Sequence, residues 1–221
     1  MTSKDHIDEI IGNIIEQTFI RLELAYKNHR EGQIGKSINH KKGESRLVFP
    51  CYNNKKREIR ISEQELRFIF VETFNEYCDE KELDWFYSVE TPTEDKYKFT
   101  EKGHNLDKPK REEGQSANFD LTISNDKGEL LALIEFKAKN TKPFSYAKDL
   151  CKLWNPKEGN SNVLRYFINV LDKADKDTSD NIQAKLDKLR NNKEKYDANI
   201  HLIFKALECV DCNNPIVEEV I

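Results

Sequence analysis

The sequence predicts an α/β protein organised around a β-hairpin at residues 117–139. The segments 119–123 and 129–139 are rich in β-branched and aromatic residues, and the run 124–128 between them has turn composition. The second strand is apolar on both faces up to Ile134, which indicates a central strand covered on both sides. Amphipathic helical patterns precede and follow this hairpin.

The composition favours one domain with peripheral additions. The chain has 221 residues, of which 37% are hydrophobic and 34% charged. We divide it into an N-terminal amphipathic helix with a linker (1–45) and a main domain (46–221). The absence of a long apolar run and of a signal peptide predicts a cytoplasmic protein without a membrane partner. The net charge of -4 neither supports nor excludes a nucleic-acid partner.

The sequence pattern of the N-terminal third predicts two helices. Residues 3–29 carry a wide apolar face that could dock on the core or pair with a second copy, and docking is favoured. A linker at 30–46 and two short strands, 46–52 and 58–61, follow. Ser62 and Glu65 have the spacing of a capping box that opens a helix at 62–79.

The sequence of the rest of the chain predicts further strands and helices. Strands are expected at 83–89 and 97–100 around a turn at 91–95, and a polar loop at 101–116 follows. Lys108, Lys110 and Arg111 of this loop are placed to hold a phosphate backbone. Helices are expected at 144–154 and 180–196, and a strand at 199–207. The apolar run 163–171 fits a strand or a helix, and the tail is expected to be irregular.

Three charged residues of the hairpin are expected to converge. In a strand, residues two apart share a face, so Glu135 and Lys137 emerge on one face where the apolar run ends. If Ser124 pairs with Glu129, Asp120 lies opposite Leu133 and diagonal to Glu135, within reach of a shared cation. Two carboxylates are suitable ligands for Mg²⁺, with Mn²⁺ as a substitute, and a lysine can orient water or stabilise charge on phosphorus.

This set of residues resembles the PD-(D/E)xK nuclease superfamily. The resemblance is carried by Asp120 and, fifteen residues later, Glu135-Phe136-Lys137 in an apolar strand after a tight turn. Phe119 stands where the motif name has proline. The resemblance implies a restriction-endonuclease-like mixed sheet flanked by helices, with the core order helix, three strands, helix, strand. It also implies metal-dependent cleavage of phosphodiesters, with Asp120 and Glu135 as metal ligands and Lys137 as a catalytic residue.

The helix before the sheet supplies a further candidate, because in this superfamily it often contributes an acid. By periodicity Glu63 is the best candidate catalytic acid, although it could simply favour the positive end of the helix dipole. Glu65 is the expected cap partner, and Glu72 lies off the apolar face.

The cysteines do not suggest a disulfide framework. Their number is odd and they are scattered, and the lone pair Cys209 and Cys212 lacks the further ligands of a zinc site. Reduced thiols are therefore expected.

The sequence leaves three functions open. The leading one is a DNA endonuclease of the restriction, defence or repair kind, acting as a monomer or a homodimer. The second is a catalytically silent nuclease-like module for binding or assembly. The third, an unrelated enzyme that uses the carboxylates as acid and base, is placed well behind.

Overall fold

A computed structural model describes residues 3–30, 45–53, 58–97, 114–190 and 198–221. Within these ranges the chain forms four helices and eight strands. In chain order they are α1 (Lys4–Arg30), β1 (Cys51–Asn53), β2 (Glu58–Ile59), α2 (Glu63–Lys81), β3 (Trp85–Tyr97), β4 (Gln115–Asn125), β5 (Leu130–Ala138), α3 (Pro143–Trp154), β6 (Leu164–Ala174), α4 (Lys176–Arg190), β7 (His201–Cys209) and β8 (Val217–Val220). The predicted α/β class is confirmed.

Six strands form one mixed open sheet in the order β3-β4-β5-β6-β7-β8. The pairs β3/β4, β4/β5 and β7/β8 are antiparallel, whereas β5/β6 and β6/β7 are parallel. The strands β1 and β2 form a separate antiparallel pair. The strand β5 is therefore central, and almost all of its residues are buried, as its apolar sequence predicts.

Helices cover both faces of this sheet. Apolar residues of α1 and α2 pack on one face, against alternate residues of β5 from Ala132 to Ala138. Apolar residues of α3 and α4 pack on the other face, against Leu133 of β5 and residues of β6 and β7. The expectation that the N-terminal helix docks on the core is confirmed, because Ile11, Ile14 and Leu22 of α1 are fully buried there.

The predicted register of the β4–β5 hairpin is wrong by two residues. Leu133 lies opposite Thr122, and Leu121 opposite Ile134, so Leu133 is not opposite Asp120. Two local features cause the difference. The turn closes with a hydrogen bond from the Asn125 N–H to the Glu129 carbonyl, and a bulge follows between Ile123 and Ser124. Since each feature shifts the pairing by one residue, the two together keep every residue beyond them on its predicted face.

Glycine explains the tight turn. Gly128 has a φ of 73°, in the left-handed region that a side chain disfavours. The N–H groups of Lys127 and Glu129 both donate to the Asn125 side-chain oxygen, and these hydrogen bonds stabilise the tight turn between β4 and β5.

Other predicted boundaries also need correction. Trp85 to Tyr97 form one continuous strand, so the predicted turn at 91–95 is wrong; Pro92 is tolerated because β3 is an edge strand. The ambiguous run at 163–171 belongs to strand β6, and the tail expected to be irregular contains β8, which pairs with β7. Of the residues in the predicted strand 46–52, only Cys51 and Tyr52 belong to a strand, β1.

The helices largely follow their predictions. Ser62 caps α2 in the predicted capping box, with the Glu65 carboxylate accepting from the Ser62 N–H. The helix α3 begins at Pro143 and ends at Trp154, one residue from the predicted start. The helix α4 begins at Lys176, earlier than predicted, because Asp175 accepts a hydrogen bond from the Thr178 N–H in the first turn. No helix in the described part of the chain has an apolar stretch long enough to cross a bilayer.

The expectation of reduced thiols is wrong for one pair of cysteines. Cys209 and Cys212 form a disulfide, since the bend after β7 brings their Cα atoms to 5.9 Å, within the usual range for such bonds. Cys78 and Cys151 are buried thiols.

Candidate active site

The three predicted site residues of the hairpin line one cleft of about 750 Å³. Asp120 comes from β4, and Glu135 and Lys137 come from β5. The neighbouring strand β3 contributes Glu90 and Tyr97 to its wall. The sheet therefore brings together Asp120, Glu135 and Lys137, as the alternation of strand residues predicts.

Asp120 is held in place by two hydrogen bonds. Its Oδ2 accepts from the Phe136 N–H at 2.8 Å, and its Oδ1 accepts from the Arg67 guanidinium of α2 at 2.8 Å. The first bond joins β4 to β5 beyond their last register pair, Leu121 with Ile134. The carboxylate of Asp120 is thus fixed beside the backbone of the Glu-x-Lys segment.

Glu135 is a buried carboxylate among other acids. It is 1% exposed, and its Oε1 contacts the Lys152 ammonium of α3 in an ion pair. Burial raises the pKa of Glu135 well above its usual range; nearby Asp149 raises it further, Lys152 opposes the rise, and Asp120 adds to it. A divalent cation beside Glu135 would remove this penalty, because it favours the ionised carboxylate.

Lys137 lies between two acids from opposite faces of the sheet. Its Nζ is 2.9 Å from Asp149 Oδ2 on α3 and 3.2 Å from Glu63 Oε1 on α2. Burial acts to lower the pKa of Lys137, but Asp149, Glu63 and Asp120 outweigh it, so that the pKa is raised. The ammonium therefore stays protonated at neutral pH and acts as a fixed positive charge and hydrogen-bond donor.

Glu63 reaches this site only through Lys137. Its side chain is 38% exposed, and Glu63 is not among the residues that line the cleft. Glu65, the other acid of the first turn, is used by the capping box. The structure therefore makes Glu63 a partner of Lys137, without bringing it to Asp120 and Glu135.

Asp149 and Lys152 are not among the site residues predicted from the sequence. Both line the cleft, and they are 5% and 3% exposed. Asp149 could have been found, because it lies three residues after Tyr146 and four before Leu153, on the inward face of α3. A charged residue on an apolar helix face is rarely buried without a partner.

Arg67 was also missed. It lies one turn after Glu63 on α2, and its guanidinium joins Asp120 to Glu90, which is on strand β3. The Arg67 side chain is 12% exposed. No pattern in the helix sequence marks this arginine, because its two partners lie on other elements.

Comparisons with known proteins give no family for this chain. The sequence has no significant match to a protein-family model or to a curated protein, and no solved structure matches the fold significantly.

The donor set fits Mg²⁺ in part. Within the described ranges, no group of three or more histidine, cysteine, aspartate or glutamate side chains is arranged to hold a metal ion. Mg²⁺ commonly takes only one or two carboxylates and keeps several waters, so that Asp120 and Glu135 suffice chemically. Glu135 Oε1 and Asp149 Oδ2 are buried oxygens that already face the ammonium groups of Lys152 and Lys137, so a metal ion would compete with these lysines for them.

A second cleft, of about 870 Å³, lies at the other end of the hairpin. It is lined by turn residues such as Asn125 and Asp126 and by the start of α1. None of its charged residues is buried. The smaller cleft is therefore the better candidate, because desolvated charges strengthen electrostatic effects on a bound group.

Proposed function

We propose that the protein is a Mg²⁺-dependent nuclease that hydrolyses phosphodiester bonds, acting in the cytoplasm on DNA as an endonuclease of the restriction, defence or repair kind. The observation that carries the proposal is the meeting of Asp120, Glu135 and Lys137 in one cleft. The element order α2, β3, β4, β5, α3, β6 supports it, because it is the order that the PD-(D/E)xK resemblance implies.

In this proposal Asp120 and Glu135 hold the metal. Mg²⁺ held there would supply polarisation of the phosphodiester and neutralisation of charge on the leaving oxygen. The Phe136 N–H donates to one oxygen of the Asp120 carboxylate and Arg67 donates to the other, which fixes the orientation of this carboxylate at the cleft.

Lys137 supplies a positive charge and a donor. Its raised pKa means that the ammonium cannot take a proton from water at neutral pH. It acts by donating a hydrogen bond that orients the attacking water and by stabilising negative charge that develops on phosphorus. Asp149 and Glu63 hold this ammonium from two sides, which restricts its geometry before substrate binds.

A plasmid-nicking assay tests the proposal. Supercoiled DNA is incubated with wild-type protein and Mg²⁺ or Mn²⁺, and we expect conversion to open-circular or linear forms. Lys137→Met should lower the rate by about 100-fold or more, the usual cost of removing a group that stabilises charge in the transition state. Lys173→Met is the matched control, because Lys173 is a 57% exposed lysine paired with Glu208 on β7.

A catalytically silent binding or assembly module is the second candidate. One observation favours it: Lys152 pairs with Glu135, and Arg67 pairs with Asp120, so both proposed ligands already have a cationic partner. Wild-type protein that cleaves neither DNA nor RNA with Mg²⁺ or Mn²⁺ would favour the module. Metal-dependent cleavage that Lys137→Met abolishes, with the variant still folded, would favour the enzyme.

A further inference from the structure

The Lys152 ammonium has oxygen partners on several sides. Its Nζ contacts Glu135 Oε1, lies 3.2 Å from Asp149 Oδ1, and donates to the Asn118 carbonyl oxygen at 2.7 Å. The Lys152 side chain is 4% exposed. The same nitrogen lies 5.6 Å from the centroid of the Phe119 ring. The ammonium is thus coordinated inside the protein, in contrast to an ordinary lysine in solvent.

These partners are the kind that a divalent cation uses. Two carboxylate oxygens and a backbone carbonyl are hard donors suited to Mg²⁺. A lysine ammonium and a metal ion cannot share the same carboxylate oxygen closely, because two cations a few Å apart in a buried site repel strongly. Occupation of Glu135 by one cation therefore opposes occupation by the other.

We propose that Lys152 is a resident cation of the metal site, which a divalent ion must displace from Glu135 in order to bind. The inference rests on the proposed function, since it concerns the same carboxylates. Lys152 thereby stabilises the metal-free protein and lowers its affinity for metal. It is a positioning residue, distinct from Lys137.

The two lysines differ in their partners, which is why we assign them different roles. Lys137 pairs with Glu63 and Asp149, whereas Lys152 contacts Glu135 directly. Lys137 can therefore remain in place when a metal arrives. After Lys152 withdraws, Asp149 keeps Lys137 as its partner.

Mn²⁺ binding to the full chain tests the inference, with isothermal titration calorimetry as the readout. Removing the competing charge in Lys152→Met should tighten Mn²⁺ binding by about tenfold or more. Lys152→Arg keeps a cation and should not tighten it. Lys148→Met is the matched control, because Lys148 lines the same cleft one turn earlier on α3 but is exposed; removing this solvent-screened charge should tighten binding by less than about threefold.

The outcomes separate this inference from the proposed function. The inference is supported if Lys152→Met, but neither Lys152→Arg nor Lys148→Met, binds Mn²⁺ more tightly than wild-type protein. It is also supported if Lys152→Met binds Mn²⁺ and wild-type protein does not. If wild-type protein binds Mn²⁺ and Lys152→Met binds it with equal or lower affinity, the inference is overturned, whereas the metal site stands. Absence of Mn²⁺ binding in both proteins overturns the inference and the metal site together.

A measurement on wild-type protein decides the matter if Lys152→Met does not fold. A small amine-acylating reagent modifies exposed lysines, and mass spectrometry follows the rate at each site. Displacement by Mg²⁺ should raise the modification rate of buried Lys152 several-fold relative to that of exposed Lys173. A ratio that Mg²⁺ leaves unchanged or lowers would overturn the inference.

Discussion

Replacement of Asp120 by asparagine separates the structural role of this side chain from its proposed role as a metal ligand. The wild-type carboxylate accepts two hydrogen bonds, from the Phe136 N–H and from Arg67, each at 2.8 Å. Asparagine has the same shape, but it keeps only one oxygen acceptor, so that its NH2 group faces one of the two donors, and it loses the charge. Hydrogen bonds to charged groups contribute about 1.5–3 kcal/mol, and neutral ones about 0.5–1.5 kcal/mol.

The metal-free variant should therefore be less stable than wild type. The Asp120 side chain is 15% exposed, which limits but does not abolish solvent screening. Because one bond is lost and the other becomes neutral, we expect Asp120→Asn to lower the free energy of unfolding by about 2–4 kcal/mol. This loss is small enough for the variant to remain folded.

The response to metal should change far more. At about 100 times its dissociation constant, a ligand that binds only the folded state adds about 2.7 kcal/mol. For a chain of this length each kcal/mol raises the melting temperature by about 2–4 °C, so Mn²⁺ should raise that of wild-type protein by about 5–11 °C. Asp120→Asn should show almost none of this increase, since one of two carboxylate ligands is gone.

Thermal unfolding followed by circular dichroism, with and without Mn²⁺, measures both effects. Glu90→Gln is the matched control, because Glu90 binds the same arginine but is 55% exposed and is not a proposed ligand. It should keep the Mn²⁺ response. If Asp120→Asn retains the full wild-type increase in melting temperature, Asp120 is not a metal ligand and its role is confined to the bonds with Arg67 and Phe136.

Two further predictions concern β5. Phe136 is fully buried with its ring 5.4 Å from that of Phe70, so Phe136→Ala should lower the free energy of unfolding by about 3–5 kcal/mol in urea, and Phe136→Leu by clearly less. The raised pKa of Glu135 means that the folded state binds its proton more tightly than the unfolded state. In metal-free protein, wild type should therefore be most stable relative to Glu135→Gln below about pH 4, near the ordinary glutamate pKa, and should lose that advantage as pH rises through the raised folded pKa. Urea unfolding at several pH values checks this, and a difference independent of pH would contradict it.

The hairpin site could be predicted because strand geometry has a period of two. The pairing of Asp120 with Leu133 was wrong, yet Asp120 and Glu135 still meet, since the turn and the bulge together shift the register by an even number of residues. A single shift would have moved Asp120 to the opposite face. The prediction of the face was thus more robust than the prediction of the partner.

The contributions of α2 and α3 could not be predicted in the same way. Asp149 and Lys152 follow the Glu-x-Lys segment by more than ten residues, and their approach depends on how α3 packs on the sheet. Arg67 reaches Asp120 across 53 positions of sequence. Periodicity identifies the buried face of each helix, but the angle at which the helix crosses the sheet decides which edge residues enter the cleft.

The edge strand β3 shows a related difficulty. Pro92 and the neighbouring threonines have turn composition, and the sequence alone favoured a break there. The strand continues because groups distant in sequence satisfy its backbone: the buried Glu158 carboxylate accepts from the N–H groups of Glu94 and Asp95. Such long-range hydrogen bonds override local turn propensity.

The buried charges of the cleft bear on the choice between enzyme and module. Glu135, Lys137, Asp149 and Lys152 are each less than 10% exposed, and ion pairs link them. Replacing such a cluster with well-packed apolar residues is often neutral or stabilising, so the cluster is weak evidence for a role in stability. The raised pKa of Glu135 indicates that its negative charge is incompletely compensated. A divalent cation would supply that compensation, which is the role that the proposed metal-dependent enzyme requires of it.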